Sequence, residues 1–208
     1  MRMFRFFEYV GIATVAFFIS LSVGFFAQDR GLDISLIEQA IAAEDALGIP
    51  SDPPAAKVHP SDIECMARNI YFEAGNQSKA GMIAVARVVV NRVQDTRFPN
   101  NVCDVIYEGP MRESWKTKQD PNIKNEDRIF YPVRDRCQFS WYCDGKADNP
   151  YPGDIWKESV KLAEKIYFTQ AYAGLLEGAT HYHADYVNPN WAKHFKVVAR
   201  IDSHIFYR

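Results

Sequence analysis

Ala67-Arg68-Asn69-Ile70-Tyr71-Phe72-Glu73-Ala74-Gly75 is the stretch that decides how this chain is read. Upstream of it, Ser61-Asp62-Ile63-Glu64 has the form of a capping box. The Ser61 hydroxyl accepts from the backbone N–H three residues on, and Glu64 reaches back to the Ser61 N–H. Ile63, Met66, Ala67, Ile70 and Tyr71 then recur on one face at helical spacing. Gly75 reads as the stop, because glycine enters the left-handed conformation without a Cβ penalty. Glu73 thus falls in the last turn of a short apolar helix. Apolar neighbours and the negative end of the helix dipole both disfavour a charged carboxyl there. A carboxylic acid held protonated near neutral pH is what general-acid catalysis needs. A lone Glu in such a place is more often a surface or capping residue, and that reading leads until the rest of the chain is read.

Ser78 can cap a second helix from Lys79 to Val93. Met82, Ile83, Ala86, Val89, Val90 and Val93 form a stripe that Ala84, Val85 and Val88 widen. A helix apolar over most of its circumference is a buried one, so this is the expected central core helix. Arg97 to Asn100 breaks the pattern, and Asn101 to Tyr107 makes a short helix carrying Cys103. The stretch from Glu108 to Asp154 is long and polar. Loops of that size in a compact domain are functional or disordered. Within it, Cys137-Gln138-Phe139-Ser140-Trp141-Tyr142-Cys143 reads as a disulfide-closed loop presenting aromatics that suit stacking on sugar rings. Asp154 caps a helix through Trp156, Val160, Ala163, Ile166 and Tyr167 to about Ala173. Ala179 to Ala184 and Phe195 to Ile201 read as two strands flanking the loop 185–191. The expected class is α+β, mainly helical with a small antiparallel sheet.

The 208 residues suggest one domain with an accessory segment, and a net charge of −2 argues against a large nucleic-acid surface. Four cysteines fit two disulfides in an oxidising compartment, and zinc or free thiols otherwise. Arg2 and Arg5 precede an uncharged run from Tyr9 to Ala27, and Asp29 and Arg30 follow it. The run is long enough to cross a bilayer as a helix, with the arginines holding the N-terminus in the cytoplasm. A cleaved signal peptide is the alternative, but Phe25 before Ala27 makes a poor cleavage site. The expectation is a signal-anchor over residues 1–28, a linker over 29–60 and a folded domain over 61–208. Asp33 to Leu47 allows a short amphipathic helix within the linker, through Leu36, Ile37, Ala40 and Ile41. The folded part is then exported to the periplasmic side of the inner membrane, where disulfides form. Of the three pairings, Cys137–Cys143 is expected by proximity and Cys65–Cys103 by default.

With these pieces placed, the chain resembles the catalytic domain of cell-wall hydrolases of the spore cortex-lytic enzyme type, which cleave peptidoglycan. The resemblance covers roughly residues 61–208. It is carried by Ala67 to Ala74, Gly81-Met82-Ile83-Ala84-Val85-Ala86, Val89-Val90-Asn91-Arg92-Val93, Phe98-Pro99-Asn100 and Val105-Ile106-Tyr107. Gln138-Phe139-Ser140 and the Ala179-Thr180-His181-Tyr182-His183 to Asn188-Pro189 region continue it in the same order.

This resemblance implies a lysozyme-like fold and no cofactor or metal. It also implies one catalytic glutamate, carried onto Glu73. That residue would protonate the glycosidic oxygen between N-acetylmuramic acid and N-acetylglucosamine, then take the proton of the muramic 6-hydroxyl as a lytic transglycosylase does. One carboxyl acting twice replaces the pair that a hydrolytic glycosidase uses. Many members of the family carry an acid four positions after the catalytic one, where this chain has Gln77. Asp144, Asp185 and Asp202 are the acids that folding could bring near. Tyr71, Gln138, Ser140, Tyr182 and His183 are candidates for positioning substrate. The expected partners are peptidoglycan glycan strands and, through the N-terminal helix, the membrane, with the chain a monomer.

Two rival readings follow from the same residues. His181 and His183, two apart on a strand, would point to one side, and with His194 and Asp185 could form the zinc site of an amidase cutting the peptide stem. A tethered, non-catalytic glycan-binding module would use the same aromatics. A weakly hydrophobic anchor ahead of a wall-cleaving domain resembles the signal-anchor-release endolysins of phages, and suits an anchored bacterial wall-remodelling enzyme equally.

Overall fold

The structure is a computed structural model that describes residues 33–47 and 60–208. It is a mixed fold of helices and two small sheets. Helices α1 (Ile34–Ala46), α2 (Pro60–Ala74), α3 (Lys79–Gln94) and the short α4 (Val102–Ile106) come first. Strand β1 (Met111–Glu113), the single turn α5 (Trp115–Lys118) and strand β2 (Phe130–Pro132) follow. The chain ends with α6 (Asp154–Thr169), β3 (His181–Ala184), β4 (Val197–Ile201) and β5 (His204–Tyr207).

α3 is the centre. Every residue from Ala80 to Arg92 is buried, as its broad apolar stripe predicts. The Ser78 hydroxyl caps it through the Gly81 N–H at 3.3 Å. α2 buries Met66, Ala67, Ile70 and Ala74 between α3 and α6. The expected capping box is not formed. The helix begins at Pro60, a residue suited to the first helical position, and Ser61 lies inside it. Glu64 instead accepts from the Arg68 guanidinium at 2.8 Å, one turn on.

Gly75 does end α2, but for another reason than the one expected. Its φ is not positive. A Cβ there would stand 2.4 Å from the Tyr71 carbonyl oxygen and 3.1 Å from Ile155 Cγ2. α6 stops four residues short of the expected end, where Gln170 turns left-handed at φ 54°. The cysteines pair as Cys65–Cys103 and Cys137–Cys143. The first bond ties α2 to α4, and the second closes the loop at 137–143.

β3, β5 and β4 form an antiparallel sheet in that order, so the two strands read from sequence do not pair with each other. β5 lies between them and is fully buried, which removes the alternation that marks a strand. A two-residue turn at Asp202-Ser203, with Asp202 at φ 48°, joins β4 to β5. Asp202 accepts from the Ser78 hydroxyl at 2.8 Å and the Ser78 N–H at 3.0 Å, pinning that turn to the start of α3. Within the long segment after α4, β1 and β2 make a second antiparallel ribbon, with Arg112 opposite Tyr131. Sequence gave no sign of it.

The Asp33–Leu47 segment is helical and does more than link. Ile37 and Ile41 are buried in the same core as α3, and the Asp45 carboxylate accepts from Lys165 at 2.6 Å, Lys79 at 2.7 Å and the Tyr172 hydroxyl at 2.6 Å. No helix among the described residues is long and apolar enough to cross a membrane. The signal-anchor expected over residues 1–28 and the stretch 48–59 lie outside the described residues.

Ile37 is 2% exposed. Ile37→Ala is expected to cost about 2–5 kcal/mol in urea-induced unfolding, the range for truncating a buried isoleucine. An unchanged midpoint would mean that α1 does not dock on the core.

Candidate active site

Glu73 occupies the last turn of α2, half-buried on the wall of a cleft of about 780 Å³. β3 runs along the opposite wall and delivers the Tyr182 hydroxyl to Glu73 Oε2 at 2.9 Å. Burial pushes the Glu73 carboxyl above its ordinary value, and the Tyr182 hydrogen bond and the Arg92 charge oppose that shift without cancelling it. The Tyr182 phenol is pushed well above its own ordinary value by burial and then by the negative charge of Glu73, so it remains a donor. The site therefore holds a carboxyl biased toward its protonated form, with a second polar group fixed against it.

Gln138, Ser140, Tyr182 and His183 line this cleft with Glu73. The Gln138 and Ser140 side chains are exposed and make no hydrogen bond to described residues, which leaves them available to a ligand. His183 is engaged on both nitrogens, with the Ala184 carbonyl and the Tyr207 hydroxyl each at 2.8 Å.

Tyr71 is not part of the cleft. Two residues from Glu73 on a helix, it points to the other side, edge-on to Trp156 at 6.1 Å, and its hydroxyl accepts from the Tyr151 N–H at 3.3 Å. The aromatics of the closed loop also turn inward rather than out. Phe139 and Trp141 are buried, Trp141 stacks on Phe72 at 4.8 Å, and its indole N–H reaches Asn69 Oδ1 at 3.0 Å. The aromatic left open at the cleft is Tyr186, 84% exposed.

Of the acids considered as a second carboxylate, Asp202 is taken up by Ser78 and Asp185 is exposed outside the cleft lining. Asp144 does line the cleft, but Lys146 binds it through the backbone N–H at 2.7 Å and the ammonium at 3.1 Å. These contacts hold its carboxyl below the ordinary value. Asp148, which sequence reading passed over, also lines the cleft, and burial followed by repulsion from Asp144 raises it. Gln77 faces Ser203 rather than the cleft, so the departure from the family pattern there takes no carboxylate away from Glu73.

His181 and His183 do share a side of β3, both about Trp191 at 5.5 Å. His181 Nδ1 is engaged with the Thr180 hydroxyl at 2.9 Å, and His194 is exposed on a separate turn. Among the described residues, no three His, Cys, Asp or Glu side chains come together as metal ligands would.

Besides Asp148, sequence reading missed Arg92 and His204 in the cleft. Arg92, like Arg87, is a charged group inside a largely apolar helix, a signal that was available in the sequence. His204 sits on β5, and its Nδ1 is buried without a partner among the described residues. Burial holds its imidazole below the ordinary value.

A family model described as Cell Wall Hydrolase matches residues 76–207. The chain belongs to the cell wall hydrolase family. Among curated relatives of this cell wall hydrolase is the spore cortex-lytic enzyme of Oceanobacillus iheyensis, 37% identical over 137 residues, or 61% of this chain and 48% of that protein. The spore cortex-lytic enzyme of Bacillus subtilis is 40% identical over 48 residues, 23% of this chain and 16% of that one. The chain thus spans about half the length, or less, of the curated relatives it matches. Among solved structures, the catalytic domain of the germination-specific lytic transglycosylase SleB from Bacillus anthracis aligns at 24% identity and TM-score 0.49, over 74% of this chain and 100% of that one. The SleB catalytic domain of Bacillus cereus aligns at 24% identity and TM-score 0.48, over 77% and 99%. The family match begins just after Glu73, so that residue lies outside the matched segment.

Folded Glu73 keeps its proton to higher pH than the unfolded chain, where such a carboxyl ionises near 4.5. The folded state then binds more protons, and stability falls as pH rises above that value. Glu73→Gln cannot ionise and still accepts from Tyr182. Its melting temperature relative to wild type is expected to climb as pH is raised from 4 through 7. A difference independent of pH would refute the raised value.

Proposed function

We propose that this cell wall hydrolase cleaves the glycan strand of peptidoglycan between N-acetylmuramic acid and N-acetylglucosamine as a lytic transglycosylase. The observation that carries the reading is a protonation-biased carboxyl, Glu73, held by the Tyr182 hydroxyl on the wall of an open cleft. The protonated Glu73 gives its proton to the glycosidic oxygen as the C1–O bond breaks, which releases the 4-hydroxyl of N-acetylglucosamine. The resulting Glu73 carboxylate takes the proton of the muramic 6-hydroxyl while its oxygen bonds to C1. The product is a 1,6-anhydro ring, no water is consumed, and Glu73 is reprotonated for the next turn.

A hydrolytic glycosidase needs a second carboxylate to activate water or attack the sugar. Of the other two acids in the cleft lining, Asp144 is committed to Lys146, and Asp148 is raised by burial and by Asp144, which disfavours the charged form a base or nucleophile needs. The open side chains of Gln138 and Ser140 suit hydrogen bonding to acetamido and hydroxyl groups, and exposed Tyr186 offers a face for a sugar ring. The glutamate at the end of a helix beside a small antiparallel sheet supports a lysozyme-like arrangement. The apolar run at 9–27 and the two disulfides support an enzyme working outside the cytoplasm, held at the inner membrane by its N-terminal segment.

Mass spectrometry of purified peptidoglycan digested by the full chain, wild type beside Glu73→Gln, tests the reading. Anhydro-muramic ends from the wild type alone are expected, with Glu73→Gln slower by about 10² or more. Reducing muramic ends would replace the transglycosylase by a hydrolase, and free stem peptides would overturn glycan cleavage altogether.

A further inference from the structure

In its second role Glu73 is a carboxylate in a half-buried cleft, where an uncompensated charge is costly. A cation that the fold holds in place shares that cleft. Arg92 projects from α3 into the same cleft and is 4% exposed. Its Nε donates to the Thr180 carbonyl at 2.8 Å. Its guanidinium lies 5.2 Å from the centroids of both Phe98 and Phe139, a cation–π distance on two sides. These contacts immobilise the side chain yet leave Nη1 buried and without a partner among the described residues. A buried donor left over in this way calls for a reason.

The same contacts reach the partner of Glu73. Thr180 immediately precedes β3, and the Phe139 ring that packs on Arg92 lies 6.5 Å from the ring of Tyr182. Arg92 therefore grips the strand that presents the Tyr182 hydroxyl.

We infer that Arg92 is a positioning residue for Glu73, holding Tyr182 in place through the Thr180 carbonyl and supplying the positive charge that stabilises Glu73 once its proton has left. The inference rests on the proposed role of Glu73 as the acid. Glu73 from α2, Tyr182 and His181 from β3, and Glu108 after α4 are the titratable groups whose charges act with that of Arg92. Glu108 competes for the same cation, and its Oε2 is likewise buried and unpartnered among the described residues. Asp144, Lys146, Asp148, His183 and His204 also line the cleft and stay unchanged in every variant below. A merely structural arginine would support the fold and leave the titration of Glu73 where it is.

The test uses the full chain with Arg92→Gln, Arg92→Lys and Glu108→Gln. Two quantities are read. One is the pH profile of kcat/KM on purified peptidoglycan. The other is the ¹³C NMR titration of the Glu73 carboxyl, assigned by its absence in Glu73→Gln. Arg92→Gln keeps a donor for Thr180 but no charge. It is expected to lower kcat/KM by on the order of tenfold to a hundredfold and to move the alkaline limb and the Glu73 midpoint to higher pH. Arg92→Lys, which keeps the charge, is expected to return both toward wild type. Glu108→Gln leaves the cation to Glu73 and moves the midpoint lower. A folded Arg92→Gln protein with limb and midpoint unmoved overturns the inference. Should that variant not fold, an unmoved midpoint in Glu108→Gln does the same. Wild-type enzyme that makes no anhydro-muramic ends, with the midpoints shifting as described, removes the transglycosylase reading and leaves the Arg92–Glu73 pairing supported.

Discussion

The burial of α3 on every side is the constraint from which the other placements follow. From Ala80 to Arg92 no residue of this helix reaches water appreciably, so other elements have to enclose it. α2, α4, α6 and the sheet do so, and α1 closes the remaining flank with Ile37 and Ile41. Small residues such as Ala80, Gly81, Ala84 and Ala86 let the neighbouring backbones come close. Gly81 shows how close, since a Cβ there would lie 2.5 Å from the Asp202 carboxylate. That carboxylate caps Ser78, so the same contact sets where the β4–β5 turn sits and hence where β3 and β5 run past the end of α2.

The cleft is a consequence of this enclosure. The C-terminal end of α2 and the face of β3 meet over α3, which brings Glu73 and Tyr182 within hydrogen-bond reach across 109 positions of sequence. Being partly out of water favours the neutral carboxyl, while one phenol and one arginine favour its anion. In the proposed mechanism a group that gives and then takes a proton benefits from that balance, because neither state is so stable that the other becomes inaccessible. Arg92 belongs to α3 itself, so the helix that organises the fold also carries a cation whose charge bears on Glu73.

The disulfides act at the margins of the same arrangement. Cys65–Cys103 joins the helix bearing Glu73 to α4, and Cys137–Cys143 closes the loop whose Gln138 and Ser140 edge the cleft. In a domain of this size such cross-links restrict the unfolded chain more than they shape the folded one. Inside the loop closed by the second bond, Phe139 and Trp141 are packed while Ser140, between them, is exposed.

Local pattern was enough for what depends on one helix at a time. The broad stripe of Lys79 to Val93 announces a core helix, the Ser78 cap marks its start, and the in-order motifs from Ala67 to Pro189 carry the family. Glu73 as the residue of interest was legible as well, because its place in a last turn followed by Gly75 needs only neighbours in sequence. What the sequence could not show was anything set by partners distant along the chain. β5 is buried on both faces and so lacks alternation, the β1–β2 ribbon is only three residues long on each side, and the capping box lost Glu64 to Arg68. Tyr71 and Glu73 look adjacent in a motif, yet helical geometry sends them to opposite faces. The inward turn of Trp141 depends on Asn69 and Phe72 waiting for it. Sequence thus determined which helix is central, through its periodicity, where Glu73 falls on α2, through its neighbours, and which family the chain joins, through its resemblance to that family's motifs in order. Tertiary structure alone decided which groups surround that acid, because desolvation, the Tyr182 hydrogen bond and the Arg92 charge exist only once α2, α3 and β3 are packed together.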